Sequence, residues 1–589
     1  MKSGKGRVGD LRLSDWIPAS LLFLVTAGFV LWQNSQIAVL WDLSYLLDTS
    51  WRIAVGQTPY RDFPLVHPPL TFLIQALLMR VAGRVYLVQI GYAALVGGLG
   101  AVIGWRVIYR VLARSGFGQV RWAWMVSLLL AAPLCVVGVY SIYPHPIYDC
   151  DCAFAILVAV FCLQRVGDAS SSGGLRAWVR PCAAGLACVA PVFFKQNMGL
   201  PFLLAVVAGA LFLLVLQRFR SSSEQQDYPD HFSDMGADLL RLLAAIAIVL
   251  LGSVAILQAT VGLNNYVHWT VQFAGQRRLP ELADMLAVYV QPSFVWTLPL
   301  FVAGLLLLYS RWARRLWVQV CAVGLLAAPF LGSLVYLFLN DDLDERGDNL
   351  LALWPLLLLV SAAFAIAELR KGITLRRLLP FFILAAIHGT FLSQQLWGST
   401  YAIWPLLMIL VAYILVSLPG GAGGVKPALA AAIGATFLVC GGLYAVGHER
   451  LNYIQIPNAP LQAATLPALR GMADRGPFLP NFEELLRFAE TEIPAGDGLL
   501  LIPGEDPFYF ATGRVPQFPV LLFDRTTDPY SAEQLVDEAR RRGIRWVIVK
   551  TRLQSNESAL PEPEKTLDLV QREFPLYRKL AGYDVYLRR

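Results

Sequence analysis

Apolar residues run along this chain in blocks of membrane-crossing length, separated by short polar stretches. A transmembrane helix needs roughly 20 mainly apolar residues. Runs at 16–36, 84–112, 122–143, 152–165, 181–194, 198–217, 239–261, 292–310, 316–339, 350–368, 378–396, 401–418 and 427–446 meet or approach that length. The pattern therefore predicts a polytopic α-helical membrane protein with about 13 transmembrane helices. The run at 67–82 opens with Pro68 and Pro69 and carries Arg80. Two prolines suit a helix start, so a re-entrant or interface-lying helix is expected there. The first run follows Lys2, Lys5, Arg7 and Arg12 without a convincing small-x-small cleavage site, and is expected to remain as the first helix.

Past Leu451 the pattern changes. Asn481 to Thr491 has a polar cap residue and helical spacing, and Ser531 to Arg542 opens with another cap. Gly498 to Pro503, Ile544 to Lys550 and Asp584 to Arg588 read as short strands. Alternating helices and strands imply a small α/β domain. The expected division is a membrane domain at 1–446, with its first external loop at 37–83, and a C-terminal α/β domain at 447–589. Stretches at 167–174, 221–238 and 419–427 are rich in Gly, Ser or Asp and read as linkers.

Composition agrees with the pattern. The chain of 589 residues is 57% apolar and only 15% charged, well below the quarter usual in soluble domains. Its net charge of +7 could suggest nucleic acid, but the basic residues are scattered through loops between apolar runs, so no nucleic-acid partner is expected. With the N-terminus inside, Arg106, Arg110, Arg114, Arg165, Arg180, Arg218, Arg311, Arg370, Lys371 and Arg377 fall on the cytoplasmic side. The opposite loops hold few cations, which by the positive-inside rule sets the N-terminus in the cytoplasm. An odd number of spans then places the C-terminal domain outside, periplasmic in a bacterial inner membrane. Cys150 and Cys152 are the two of eight cysteines at a membrane surface.

The acids and histidines of interest all fall in the loops assigned outside. The first loop carries Asp42, Asp48, Arg52, Arg61, Asp62 and His67, and an ionisable group held close to hydrocarbon is a functional hypothesis by default. The next, YPHPIYDCDC from Tyr143, brings His145, Asp149 and Asp151; Lys195 follows between two apolar runs, and Arg277 and Arg278 lie in the loop after it. A carboxylate beside cations suits sugar transfer from a lipid phosphate. The base takes the acceptor proton for roughly 100- to 10,000-fold in rate, and cations stabilise the charge gathering on the leaving phosphate. The His145 to Cys152 group matches no standard zinc spacing. Asn340 to Asn349 fails as an EF-hand loop because Arg346 takes a ligand place.

Asp42 and Tyr45, then Gly56-Gln-Thr-Pro-Tyr-Arg-Asp62-Phe, then His67-Pro-Pro-Leu70, resemble the first external loop of GT-C-fold glycosyltransferases that use polyprenyl-phosphate sugars. That superfamily includes the protein O-mannosyltransferases, the lipid A aminoarabinose transferase and the rhizobial lipopolysaccharide core transferases. Phe194 to Leu200 and Ser393 to Pro405 extend the resemblance. It implies a GT-C-like fold and an inverting hexosyl or pentosyl transfer to a cell-envelope acceptor, whether lipid, glycan or protein. By the same resemblance Asp42 is the general base, and either Asp149 or Asp151 matches the family's second Asp. Lys195, Arg277, Arg278 and His67 would contact the donor phosphate, while Asp48, Tyr60, Arg61 and Asp62 would support the loop. No metal ligand set is assigned. A divalent cation is the one cofactor the family pattern allows, and many members carry Asp-Glu where this chain has Asp42-Leu43. Two other classes fit the membrane setting, a lipid-linked oligosaccharide polymerase or ligase and a non-enzymatic lipid-linked-sugar flippase.

Overall fold

A computed structural model describes residues 13–36, 41–114, 120–166, 176–221, 229–339, 352–392, 402–419, 424–446, 459–553 and 563–588. The acidic loop at 340–349 and residues 393–401 lie outside the described residues, as do 167–174, 222–228 and 420–423 of the expected linkers, whereas 229–238 is not a linker but the first turns of a long helix.

The chain is an α-helical membrane protein. Its first nine long helices are α1 (Leu13–Asn34), α2 (Trp41–Ala54), α3 (Leu70–Ala82), α4 (Tyr86–Arg114), α5 (Val120–Ala131), α6 (Tyr148–Leu163), α7 (Arg176–Phe194), α8 (Gln196–Ser221) and α9 (Pro229–Thr260). Helices Phe294–Tyr309, Leu316–Leu339, Trp354–Leu369, Leu375–Thr390, Trp404–Ser417 and Val425–Val446 complete the bundle. Each of the thirteen apolar runs thus contains a helix. Among the described residues seven are long and apolar enough to cross a membrane, and Leu282–Val290 with Phe294–Tyr309, bent by 53°, makes an eighth if the pair is one span.

One expected element differs in shape, and the short helix expected at 67–82 is present. The run at 122–143 is helical only to Ala131, passes through a 3₁₀ turn at Ala132–Cys135, and continues to residue 147 without regular structure. Pro133, at the start of that turn, supplies no N–H to continue the α-helix. Helix α3 has 13 residues, or about 20 Å at 1.5 Å per residue, short of a bilayer core.

Contacts between helix ends sort residues to two ends of the bundle. At one end Arg106 of α4 bonds Asp15 of α1 at 2.9 Å, and Arg114 donates to the Gln164 carbonyl at the end of α6. At the other, Gln33 near the end of α1 reaches the Ala445 carbonyl, and the start of α6 meets the α7–α8 junction. Helices α2 and α3 and the C-terminal unit lie at this second end.

The C-terminal unit has β1 (Leu461–Ala463) and β2 (Ala473–Arg475) as an antiparallel pair, and a four-stranded sheet ordered β3-β4-β6-β5. Strands β3 (Gly498–Ile502) and β4 (Ile544–Lys550) are parallel; β6 (Tyr583–Leu587) pairs antiparallel with β4 and with β5 (Leu576–Leu580). Helix Ala532–Arg541 starts at Ser531 in a capping box with Gln534, as the sequence suggests. Strands β1, β2 and β5 and the helix Pro563–Glu573 carry too little apolar alternation to have been predicted.

Candidate active site

Helix α2 is the partition between the membrane bundle and the C-terminal unit, and its two faces are bound differently. One face carries Leu43 and Leu47, which join the buried core of the C-terminal unit. From the same face the Ser44 hydroxyl donates to the Gly504 carbonyl at 3.0 Å, and the Trp51 indole donates to the Arg514 carbonyl. Gly504 has φ +87°, and a Cβ there would sit 1.8 Å from the Leu521 carbonyl oxygen, so only glycine fits this approach. Asp48, 4% exposed, accepts the backbone N–H groups of Tyr509 and Phe510. Burial pushes its carboxyl up to about 8 against those bonds. Arg52 spends its guanidinium on the carbonyls of Phe518 and Pro519 and lies over the Phe63 ring.

Asp42, in the first turn of α2, stands in different surroundings. It is half-buried and takes a 2.6 Å hydrogen bond from the Tyr143 hydroxyl. One turn on, the Tyr45 ring meets His67 at 5.8 Å, His67 stacks on Tyr148 at 3.9 Å, and the Lys195 ammonium lies 5.5 Å from the Tyr148 ring centre. Lys195 sits at the break between α7 and α8 and makes an ion pair with Asp149. An aromatic bridge of Tyr45, His67 and Tyr148 therefore joins the Asp42–Tyr143 pair to the Asp149–Lys195 pair. The site gathers α2, the start of α6 and the α7–α8 junction at one end of the bundle.

The two acids in the first turn of α6 are told apart by their partners. Asp151, 1% exposed, accepts hydrogen bonds from Thr71 of α3 at 2.7 Å, Tyr92 of α4 at 2.8 Å and Tyr140 at 2.6 Å. Three hydroxyls from three segments make it a knot that ties α3, α4 and the 136–147 loop to α6. Asp149 faces Lys195 instead.

The remaining sequence-assigned residues fall elsewhere. Arg277, beyond a π-helical stretch His268–Phe273, donates to the backbone carbonyls of Arg525 and Asp528 and lies over the Phe273 ring. It thus meets a loop of the C-terminal unit. The side chain of Arg278 lies outside the described residues. Arg61 and Asp62 form an exposed pair 3.0 Å apart, with Asp62 also accepting the Thr58 N–H. Tyr60 holds φ +66°, a left-handed value that a non-glycine residue adopts under strain. Its hydroxyl donates to the His67 carbonyl at 2.7 Å, which closes the loop and aims the His67 ring.

Sequence reasoning missed Tyr143, Tyr148, Thr71, Tyr92 and Tyr140. Hydroxyls and rings embedded in apolar runs carry no spacing signal. Tyr143 and Tyr148 do flank the His145 motif, so proximity to it was the one available clue. His145 itself is 1% exposed, and burial holds its imidazole down to about 3, so it is neutral. Among the described residues no three His, Cys, Asp or Glu side chains group as a metal site, and Asp42, Asp149 and Asp151 each face different partners. The described residues at this site do not fit a divalent cation.

No protein-family model and no curated protein sequence matches the chain. Among solved structures it is similar to ArnT from Cupriavidus metallidurans in the apo state, 12% identical over 97% of this chain and 98% of that one, with a TM-score of 0.45. It is similar to the Archaeoglobus fulgidus oligosaccharyltransferase in complex with Zn and sulfate, 10% identical over 97% of this chain and 73% of that one, at 0.48. Against the S. cerevisiae protein O-mannosyltransferase Pmt1-Pmt2 complex bound to the sugar donor, identity is 20% and the TM-score 0.33. That overlap takes in 43% of this chain and spans 35% of the yeast chain.

Proposed function

We propose that this chain is a membrane glycosyltransferase that moves a sugar from a polyprenyl-phosphate carrier to a cell-envelope acceptor, with Asp42 as general base. The observation that carries the reading is the pairing at one end of the bundle. A half-buried carboxylate accepts the Tyr143 hydroxyl, and a lysine at a helix break stands across an aromatic bridge from it. The acceptor hydroxyl gives its proton to Asp42 while its oxygen bonds to the anomeric carbon. The bond from that carbon to the phosphate oxygen breaks, and its electron pair leaves with the carrier phosphate. One displacement from the far side inverts the anomeric configuration. Lys195 exchanges Asp149 for the phosphate and stabilises the charge that develops there. Asp151 and Asp48 serve the frame and take no part in proton transfer.

The loop motif around Asp42 supports the donor class. The scatter of basic residues at the opposite end supports a cytoplasmic N-terminus and an outward-facing site in an inner membrane. The acceptor is a glycan, lipid or protein of the envelope. The test is analysis of envelope glycans from a strain lacking the gene, and from the same strain carrying the wild-type or the Asp42→Asn chain. The reading expects one sugar to be missing from both the deletion and the variant and restored by the wild type. Restoration by Asp42→Asn would overturn it.

A further inference from the structure

We propose that Tyr143 is the positioning residue for Asp42, itself held in place by Asn34. This inference rests on the reading of Asp42 as base and deepens it. The Tyr143 hydroxyl donates to Asp42 Oδ2 at 2.6 Å, the short length of a bond to an ionised acceptor. It fixes the rotation of the carboxyl that takes the acceptor proton. Tyr143 keeps its own proton throughout.

Tyr143 lies in the 136–147 stretch, which has no regular secondary structure to hold it, so its placement must come from tethers. Asn34, the last residue of α1 and 1% exposed, supplies one. Its Nδ2 donates to the carbonyls of Pro144 at 2.6 Å and Val30 at 2.8 Å, and its Oδ1 accepts the Tyr86 hydroxyl of α4 at 2.8 Å. A buried amide is stabilising only when its donors and acceptor are met. Here they are met by α1, α4 and the residue next to Tyr143. The neutral, buried His145 ring packs 4.2 Å from the Tyr143 ring on the other side. A chain of contacts from α4 through Asn34 to Pro144 therefore sets the phenol against α2, and α1 and α4 help to locate the base through it.

A bond donated to a carboxylate favours its ionised form, which separates positioning from simple packing. The test labels the purified full chain with a water-soluble carbodiimide and glycine ethyl ester across a pH series and reads Asp42 by peptide mass spectrometry. Carbodiimides take the protonated carboxyl, so the pH at which labelling falls by half reports the balance directly. In Tyr143→Phe, which removes one oxygen atom, that half-point moves up. In Asn34→Ala it moves the same way by less. With 2,3,5-trifluorotyrosine at position 143, a stronger donor of the same shape, it moves down. A Tyr143→Phe curve that overlays the wild type, in protein of unchanged melting temperature, overturns the proposal, as does an unchanged curve with trifluorotyrosine. The labelling needs neither sugar donor nor acceptor. A flat result therefore removes the role of Tyr143 and leaves Asp42 to the glycan analysis, while failure of the glycan analysis leaves the labelling result standing.

Discussion

Asp42 and Asp48 stand six residues apart on one helix, and Asp149 and Asp151 two apart on another, yet each pair divides the same way. Asp48 and Asp151 are closed in by donors from other segments, two backbone amides in one case and three hydroxyls in the other. Asp42 is half-buried beside the Tyr143 phenol, and Asp149 faces a lysine. The first kind of acid holds parts of the molecule together. The second is the kind that the proposed reaction would use. Residue type and location near the membrane surface are the same for all four, so the face of the helix decides the role.

The comparison breaks most directly through Asp42. Replacing it with Asn is expected to cost roughly 100- to 10,000-fold in transfer rate without moving the melting temperature, read by single-turnover kinetics and a thermal scan of the same preparation. Lys195→Met comes next. Removing one member of a buried ion pair costs about 3–5 kcal/mol, so both stability and transfer fall, while Lys195→Arg retains most of each. Asp48→Ala should show the opposite profile from Asp42→Asn. It leaves two amides of the C-terminal unit without their acceptor, for a loss of about 1–3 kcal/mol, seen as a lower melting point with transfer largely kept.

A pH effect of the same origin is smaller. The Asp48 carboxyl sits at about 8 in the folded chain against 3.8 when free, so the folded state binds this proton more tightly. Its stabilising contribution is complete below about pH 4 and is lost as pH rises through 8. Amide exchange at Tyr509 and Phe510, corrected for intrinsic rate, should lose protection between pH 5 and 8, and Asp48→Asn should flatten the trend. The smallest effect belongs to Arg61→Ala. That exposed pair lies away from the aromatic bridge, and the change should leave both melting temperature and transfer where they were.

How far the sequence reached follows from what each feature depends on. Helices in the bundle were legible because hydrocarbon demands long apolar runs, and every run proved to hold a helix. The break after Ala131 was legible only in hindsight, through Pro133, because the residues beyond it are as apolar as a span. In the C-terminal unit the strands β3, β4 and β6 are apolar enough to be read, although β3 lies at an edge. The edge strand β5, with Arg578 and Lys579, is not. At the site, Asp42 and Lys195 were marked by a charge at a membrane boundary. The choice between Asp149 and Asp151 depends on Thr71 and Tyr92, which lie about 80 and 60 residues upstream, and no local pattern encodes a hydroxyl arriving from another helix. Asp48 was placed in the loop's own support, whereas its partners lie 461 and 462 residues away in the C-terminal unit.

The most direct measurement is an experimental structure of the full chain in lipid nanodiscs with undecaprenyl phosphate bound. The account predicts the phosphate at the α7–α8 junction within contact of the Lys195 ammonium, with Asp42 across the Tyr45, His67 and Tyr148 rings and its carboxyl open to the space beside the phosphate. A phosphate seated at the opposite end of the bundle, near Arg106 and Arg114, or an Asp42 carboxyl walled off from the bound lipid, would contradict it.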